Sequence, residues 1–349
     1  MASLAAVEVV SSKVFLGGAV GSLLLALGVG CGSRPGDPQG TPQPYPRPAY
    51  TSLAETGLYE DLAGTRLGAG VHAYTPAFAL WSDGADKQRW IQLPDGAWID
   101  SSDMDRWRFP IGTRVWKEFS RDGVRLETRL IERYGTRPGD YWMGSFVWNE
   151  EQTEAVYVGE GLTDVLGTSH DVPSEADCAS CHDGEPGRIL GFSALQLGAA
   201  PAAEEGAMTF ERLVREGWLS APPEGDVAYA PPGDETAALA LGYLHANCGH
   251  CHNPWAAPWA QTRMLLRLDV GSESLEASPV YQSIVGQNAD RFSSQQFPLR
   301  VAPGAPDESA IVVRMAAEAK PLRMPPLSSD TVDVDGVEIV RRWIAELHD

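Results

Sequence analysis

The sequence predicts an α+β fold, with an antiparallel β-rich region first and mostly helical regions after it. Between residues 51 and 161, short apolar or alternating segments recur between Asp-Gly and Pro-Asp-Gly turn signals. Further along, apolar residues take up helical spacing, most clearly in the last segment, 334–347. With 349 residues, of which 43% are hydrophobic, the chain is long enough for two or three folded regions.

Composition shifts along the chain predict five regions. They are a targeting segment, a linker rich in proline and glycine, a β-rich domain, and two regions that each contain one copy of a cysteine motif described below. The predicted boundaries are 1–31, 32–50, 51–165, 166–225 and 226–349.

The N-terminal region is typical of an export signal. Residues 14–30 form an apolar run that ends at Cys31, and the residues around Cys31 resemble a bacterial lipobox, with Gly28 where leucine is usual. We therefore expect the protein to be exported to the periplasmic or cell-surface side of a membrane and held there by a lipid on Cys31. An ordinary cleaved signal and an uncleaved anchor are the alternatives. The proline-rich linker would act as a semi-rigid spacer.

The β-rich region is expected to form a sandwich or a partly closed barrel, because its strands are short and evenly spaced. Asp83 and Asp86 are expected to be solvated turn residues, since a calcium site needs more oxygen ligands than this segment offers. The tryptophans are expected to pack in the core rather than form a sugar-binding platform. The predicted strands are 78–81, 89–93, 97–99, 113–119, 126–131 and 144–148.

The charge balance limits the possible partners. The chain has 47 acidic and 27 basic residues, a formal net charge of −20. Nucleic-acid binding requires an excess of lysine and arginine, so no nucleic-acid partner is expected. Docking to an anionic lipid surface by charge alone is disfavoured for the same reason.

Two copies of a Cys-x-x-Cys-His motif contain every cysteine except Cys31. The first runs from Cys178 through Cys181 to His182, and the second from Cys248 through Cys251 to His252. This spacing is typical of covalent attachment of c-type haem, in which two thiols bond to the haem and the histidine ligates the iron. The sequence therefore predicts two covalent haem c groups, with His182 and His252 as iron ligands.

Three other interpretations of the motifs have less support. A thioredoxin-like dithiol normally lies in a βαβ unit, which neither copy shows. Paired zinc knuckles are usually much closer together in sequence than these copies are. A disulfide across so short a loop would be strained.

Methionine and histidine residues are candidates for the second axial ligand of each iron. Near the end of the chain, Met324 in an Arg-Met-Pro-Pro segment is the candidate for the second haem, and Met315 and Met264 compete with it. For the first haem the ligand stays open. The candidates are Met208, His170, His72 and His245, and an iron without a sixth protein ligand is the remaining possibility.

The order of motifs resembles known cytochromes. The second motif, the Met-Pro loop at 323–327 and a closing helix with Trp343 resemble a class I cytochrome c domain. The whole chain resembles a family of exported bacterial di-haem c-type cytochromes. That resemblance is carried by the Trp-Ser-Asp-Gly segment at 80–87 with Arg89, by segments 107–113, 127–130, 243–248 and 323–327, and by both motifs. It implies a β-rich domain followed by mostly α-helical haem modules, and no particular substrate.

We therefore expect a protein that transfers single electrons to or from a periplasmic or cell-surface redox partner. The first alternative is a di-haem peroxidase or oxidase in which one iron has an open position. The second is a protein whose β-rich domain binds a ligand and whose haems are accessory. One departure from the family is Gly198, which follows Gln196-Leu197 where asparagine is usual.

Overall fold

The computed structural model describes residues 46–63, 66–200, 206–225, 229–289, 297–320, 322–327 and 329–348, which belong to one compact unit. The predicted export signal, Cys31 and most of the predicted linker lie outside these residues. Within the described ranges, no helix has both the length and the apolar character needed to cross a bilayer.

A single antiparallel sheet of six strands forms the β-rich region, and the strands lie side by side in chain order. The Asp122-Gly123 turn joins the third and fourth strands with positive φ at both residues, as the tight hairpin requires. The strands are β1 (His72–Ala73), β2 (Asp86–Gln92), β3 (Arg114–Arg121), β4 (Val124–Arg133), β5 (Tyr141–Trp148) and β6 (Ala155–Val158).

Four predicted strands are confirmed as β2 to β5, but the sandwich and the barrel are wrong for the described residues. All six strands pair in one sheet, and β1 and β6 are its edge strands. The predicted strand 78–81 is irregular because side chains, and not a neighbouring strand, bind its backbone. Gln196 accepts a hydrogen bond from the Phe78 N–H, and Asn247 accepts one from the Trp81 N–H. The predicted strand 97–99 makes only an isolated bridge from Ile99 to Leu219.

The α+β class is confirmed by eight α-helices among the described residues. The last helix presents Val340 and Ile344 to the core, as its spacing predicts, and its first turn is capped by Asp333. The helices are α1 (Glu175–His182), α2 (Ala194–Gly198), α3 (Phe210–Arg215), α4 (Glu235–Asn247), α5 (Trp259–Thr262), α6 (Pro279–Ile284), α7 (Ala310–Met315) and α8 (Val334–Glu346).

Three large hydrophobic clusters hold these elements together. One lies under the sheet and contains buried tryptophans at 90, 116, 142 and 148, which confirms their core role. A second joins sheet residues such as Ile91 and Val115 to Phe192 and Leu213, so the region after the first motif packs directly against the sheet. The third joins α4, α6, α7 and α8. The predicted division at residues 165 and 225 stays a prediction.

Candidate functional site

The two cysteine motifs, distant in sequence, lie against each other. The first occupies α1, and the second begins at Cys248, directly after α4 ends. The sulfur of Cys251 lies 3.8 Å from the backbone oxygen of Ser180, between the two cysteines of the first motif. Their side chains and backbone therefore form one continuous site.

Gly184 and Asn253 hold this junction together. The backbone of Gly184 packs so closely on the second motif that a Cβ at this position would lie 1.9 Å from the carbonyl oxygen of His250. The buried Asn253 amide donates hydrogen bonds to the carbonyls of Gly184, at 2.9 Å, of Gly249, at 2.7 Å, and of His250, at 3.1 Å. One side chain thus ties the loop after the first motif to the backbone of the second.

Local capping explains why each motif sits at a helix. Ser174 and Asp177 form a reciprocal capping box that begins α1, three residues before Cys178. Asp234 caps the start of α4 by accepting a hydrogen bond from the Ala237 N–H. The helix ends at Asn247, which places Cys248 where the chain turns.

The imidazole of His182 is neutral and keeps one ring nitrogen available as a ligand. Its Nδ1 lies 2.7 Å from the carbonyl oxygen of Arg188, so Nδ1 carries the proton and Nε2 keeps its lone pair. Burial lowers the pKa of His182 to about 4, so the ring is neutral at pH 7. Burial also lowers the pKa of His252 to about 4, and its Nδ1 has no hydrogen-bond partner in the described structure.

All four motif cysteines are free thiols and are partly buried. Burial raises the pKa of Cys248 to about 12 and of Cys251 to about 11, and it also raises the pKa of Cys178 and Cys181. Redox-active dithiols have lowered pKa values, so the thioredoxin-like reading gains no support. The described residues contain no group of three or more histidine, cysteine or acidic side chains placed to hold a metal ion, which gives the zinc reading no support either.

The donor set fits covalent haem, since each motif offers two thiols and one neutral imidazole. A cavity of about 50 Å³ lies beside the second motif, where His250 lines it, and a cavity of about 10 Å³ lies beside Met324. Both volumes are smaller than the about 300–1,000 Å³ that is usual for small-molecule sites, so neither cavity would hold a porphyrin unless the residues that line it moved.

Met324 and the second motif share a neighbour, Arg314. Its N–H donates to the carbonyl oxygen of Arg314 at 3.0 Å, and the charge of Arg314 adds to the effects of burial and of His250 in lowering the pKa of His252. Met324 is half-buried beside the small cavity. Its role as an iron ligand stays a prediction.

The competing methionines pack in the hydrophobic clusters. Met315 is buried in the cluster of α4 and α8, and Met264 packs against that same cluster. Met208 is buried among aromatic residues that include Trp107 and Phe210. These positions favour a packing role for Met208 and Met315.

The three other histidine candidates are already engaged. His170 is buried with Nε2 3.0 Å from Glu127. His72 lies edge-on to Trp218, with ring centroids 5.3 Å apart. In His245, Nδ1 accepts a hydrogen bond from the Leu268 N–H at 3.0 Å.

A clamp around Trp81 joins three parts of the molecule, and sequence reasoning did not predict it. Asn247 at the end of α4 bonds the Trp81 N–H at 2.7 Å and the Ala79 carbonyl at 3.2 Å. The Trp81 indole N–H donates to the carbonyl of Thr331, and the Asp83 carboxylate accepts from the N–H of Thr331. The Trp-Ser-Asp-Gly segment is thus the connection between the second motif and the loop of Met324.

Asp83 is consequently only partly solvated, whereas Asp86 is exposed as expected. It does lie in a tight turn, closed by a hydrogen bond from the Ala85 N–H to the Ser82 carbonyl. However, its carboxylate is 2.7 Å from the Thr331 N–H, a contact with a segment far away in sequence. The local sequence pattern indicates the turn but contains no information about this long-range partner.

The close approach of Tyr229 explains why glycine occupies position 198. A Cβ at this position would lie 3.1 Å from the backbone of Tyr229. An asparagine at this position would crowd that backbone. The neighbouring Gln196 keeps its own role, because it bonds the Phe78 N–H.

Behind the first motif, β4 carries a buried charge network. Arg129 binds both carboxylate oxygens of Glu127, at 2.7 and 2.8 Å, and His170 binds the same carboxylate. Burial by itself would raise the pKa of Glu127. The charge of Arg129 and the hydrogen bonds of His170 and Arg129 outweigh it and lower the pKa from 4.5 to about 2.

This lowered pKa predicts an acid-dependent loss of stability. The contribution of Glu127 to the free energy of unfolding is complete above pH 4.5 and disappears as the pH falls towards 2, and it amounts to about 3 kcal/mol. Denaturant titrations of wild type and Glu127→Gln between pH 7 and pH 2.5 measure it. We expect the variant to be less stable at pH 7 and the difference to shrink below pH 4.5; a difference that stays constant with pH would contradict the assignment.

Comparisons with protein-family models, with curated proteins and with solved structures found no match for this chain. Any statement about function therefore depends on the motifs and on the geometry of the site.

Proposed function

We propose that the protein is an exported di-haem c-type cytochrome that transfers single electrons. The observation that carries the proposal is the junction of the two motifs, where Cys251 lies against the backbone of Ser180 and Asn253 binds the backbone of Gly184. Contact between the two motifs favours a shared role for them over two unrelated roles.

The roles of the residues follow from their chemistry. Cys178 and Cys181 would hold one haem, Cys248 and Cys251 the other, and His182 and His252 would ligate the irons. Haem iron supplies reversible one-electron chemistry, and a thioether ligand such as Met324 favours the ferrous state. The hydrogen bond between His182 and Arg188 fixes the ring orientation and keeps Nε2 available.

Contact between the motifs also supports electron exchange within one molecule. The fixed backbone contact at Gly184 sets the relative position of the two attachment segments. We propose that electrons leave to a periplasmic or cell-surface redox partner, with the chain anchored to a membrane through a lipid on Cys31. The negative net charge would suit a basic partner surface.

A second candidate is an enzyme of the peroxidase or oxidase type. It is favoured by the positions of Met208, His170 and His245, which are each buried in the core or hydrogen-bonded elsewhere. An iron at the first motif without a protein sixth ligand would leave a position open to a small substrate. Electron paramagnetic resonance of the oxidised protein separates the candidates, because a high-spin haem supports the enzyme and two low-spin haems support the electron carrier.

Counting covalent haems tests the proposal directly. Intact mass spectrometry of the chain, produced together with cytochrome c maturation factors, is expected to show the polypeptide plus two haems. Double serine substitution at Cys178 and Cys181 removes one haem, and the same substitution at Cys248 and Cys251 removes the other. Ser180→Ala, which leaves every thiol in place, is the matched control and is expected to keep both. Polypeptide mass alone, with no visible absorption, would overturn the proposal.

A further inference from the structure

A row of cations crosses the sheet on the face towards the first motif. Arg89 of β2 lies directly opposite Lys117 of β3, and Lys117 lies directly opposite Arg129 of β4. Residues directly opposite in adjacent strands share a face, and like charges in such pairs destabilise a sheet. The row therefore needs negative charge beside it.

Within the described residues, only Arg129, at one end of the row, has a negative charge beside it. Arg129 is bound by the Glu127 carboxylate. The side chains of Arg89 and Lys117 make no hydrogen bond and no ion pair in this part of the chain. Arg89 is only 8% exposed, and Lys117 is partly buried with its ammonium 4.7 Å from the centroid of the Phe119 ring. Burial lowers the pKa of both side chains, that of Lys117 strongly, and an anion beside them would favour their charged forms.

Both side chains line the cavity of about 50 Å³, whose wall also includes Ala246 and, within the second motif, His250. That volume exceeds what a single water molecule occupies. One carboxylate lines the cavity, that of Glu185, and it is engaged by Arg267 through two contacts of 3.1 Å. The cavity therefore has two basic side chains on its wall that no carboxylate binds.

The remaining polar lining offers hydrogen-bond donors. Because Nδ1 of His245 accepts from the Leu268 N–H, the neutral ring carries its proton on Nε2. Gln196 uses its oxygen to accept from the Phe78 N–H, which leaves its amide N–H groups to donate. Both residues line the cavity. Donors and cations around a small space are the features of an oxyanion site.

We propose that this cavity binds an oxyanion, held chiefly by Arg89 and Lys117. Two sources could supply it. One is a small free oxyanion, which does not depend on haem. The other is a propionate carboxylate of a haem on the neighbouring motif, and that source rests on the proposed function. Lys117 is close enough to the first motif for its charge to act on Cys181 and His182.

The first arm of the test is calorimetric titration of the full chain with sulfate and with acetate, at constant ionic strength in chloride. If a free oxyanion is the source, wild type binds one of them saturably and Lys117→Met binds at least tenfold more weakly. The matched control is Lys320→Met, the same change at an exposed position, which should bind as wild type does. Arg89→Lys should retain binding and Arg89→Met should lose it. Replacing an unpaired buried cation with methionine is not expected to prevent folding.

The second arm measures midpoint potentials on the same preparations. If a propionate occupies the site, added oxyanions do not bind, but Lys117→Met lowers the potential of one haem because a nearby positive charge that favours ferrous iron is lost. Lys320→Met should leave both potentials unchanged. A colourless protein that still binds sulfate through Lys117 would overturn the proposed function and keep this site. If wild type binds neither sulfate nor acetate, and Lys117→Met leaves both midpoint potentials unchanged, the proposed site is overturned.

Discussion

Substitution of Gly184 by alanine is expected to separate the two cysteine motifs and to cost the protein much of its stability. The added methyl group would lie 1.9 Å from the carbonyl oxygen of His250, which belongs to backbone and cannot rotate away. The loop would have to move, and the hydrogen bond from Asn253 to the Gly184 carbonyl would be lost with it. Overpacking costs about 1–3 kcal/mol, and a lost buried hydrogen bond adds about 1–3 kcal/mol.

Urea denaturation measures this loss, and Gly139→Ala is the control. A Cβ at Gly139 meets nothing within 4 Å, so that variant should be as stable as wild type or slightly more so. If Gly184→Ala matches Gly139→Ala, the close contact between the motifs is not present in solution.

The sequence predicted those elements whose causes are local. The strands β2 to β5 alternate or cluster apolar residues between turn signals, and the α8 face follows from the spacing of Val340 and Ile344. The segment 78–81 has an equally apolar pattern, but its N–H groups bind Gln196 and Asn247. No local pattern records a partner that lies more than a hundred residues away, so the strand prediction was wrong there.

In the candidate site, too, the local sequence does not record long-range partners. The spacing of Cys178, Cys181 and His182 identifies the chemistry of a motif without any knowledge of the fold. That the second motif lies against the first depends on Gly184 and Asn253, neither of which is unusual in sequence. The cation row likewise arises only once the register of β2 against β3 is known. Residue types give the reactive groups, and long-range pairing decides which of them meet.

Substitution of Asn247 by alanine is expected to open the clamp around Trp81. The side chain is fully buried, and its loss leaves the Trp81 N–H and the Ala79 carbonyl without their partners. Each buried group left unpaired costs about 1–3 kcal/mol, so the loss of both partners should lower the free energy of unfolding by about 2–6 kcal/mol. Because Trp81 and Asp83 also bind Thr331, the loop that carries Met324 should loosen with them.

Hydrogen exchange followed by mass spectrometry separates this clamp from a general loss of stability. Peptides that cover 78–84 and 329–333 should exchange faster in Asn247→Ala, while strands β3 to β5, which are held by their own ladder, should change little. Asn288→Ala, the same substitution at an exposed side chain, should leave every peptide as in wild type. Equal acceleration across the sheet and the clamp would mean that Asn247 supports the fold as a whole, and that the Trp-Ser-Asp-Gly segment does not specifically couple the second motif to the loop of Met324.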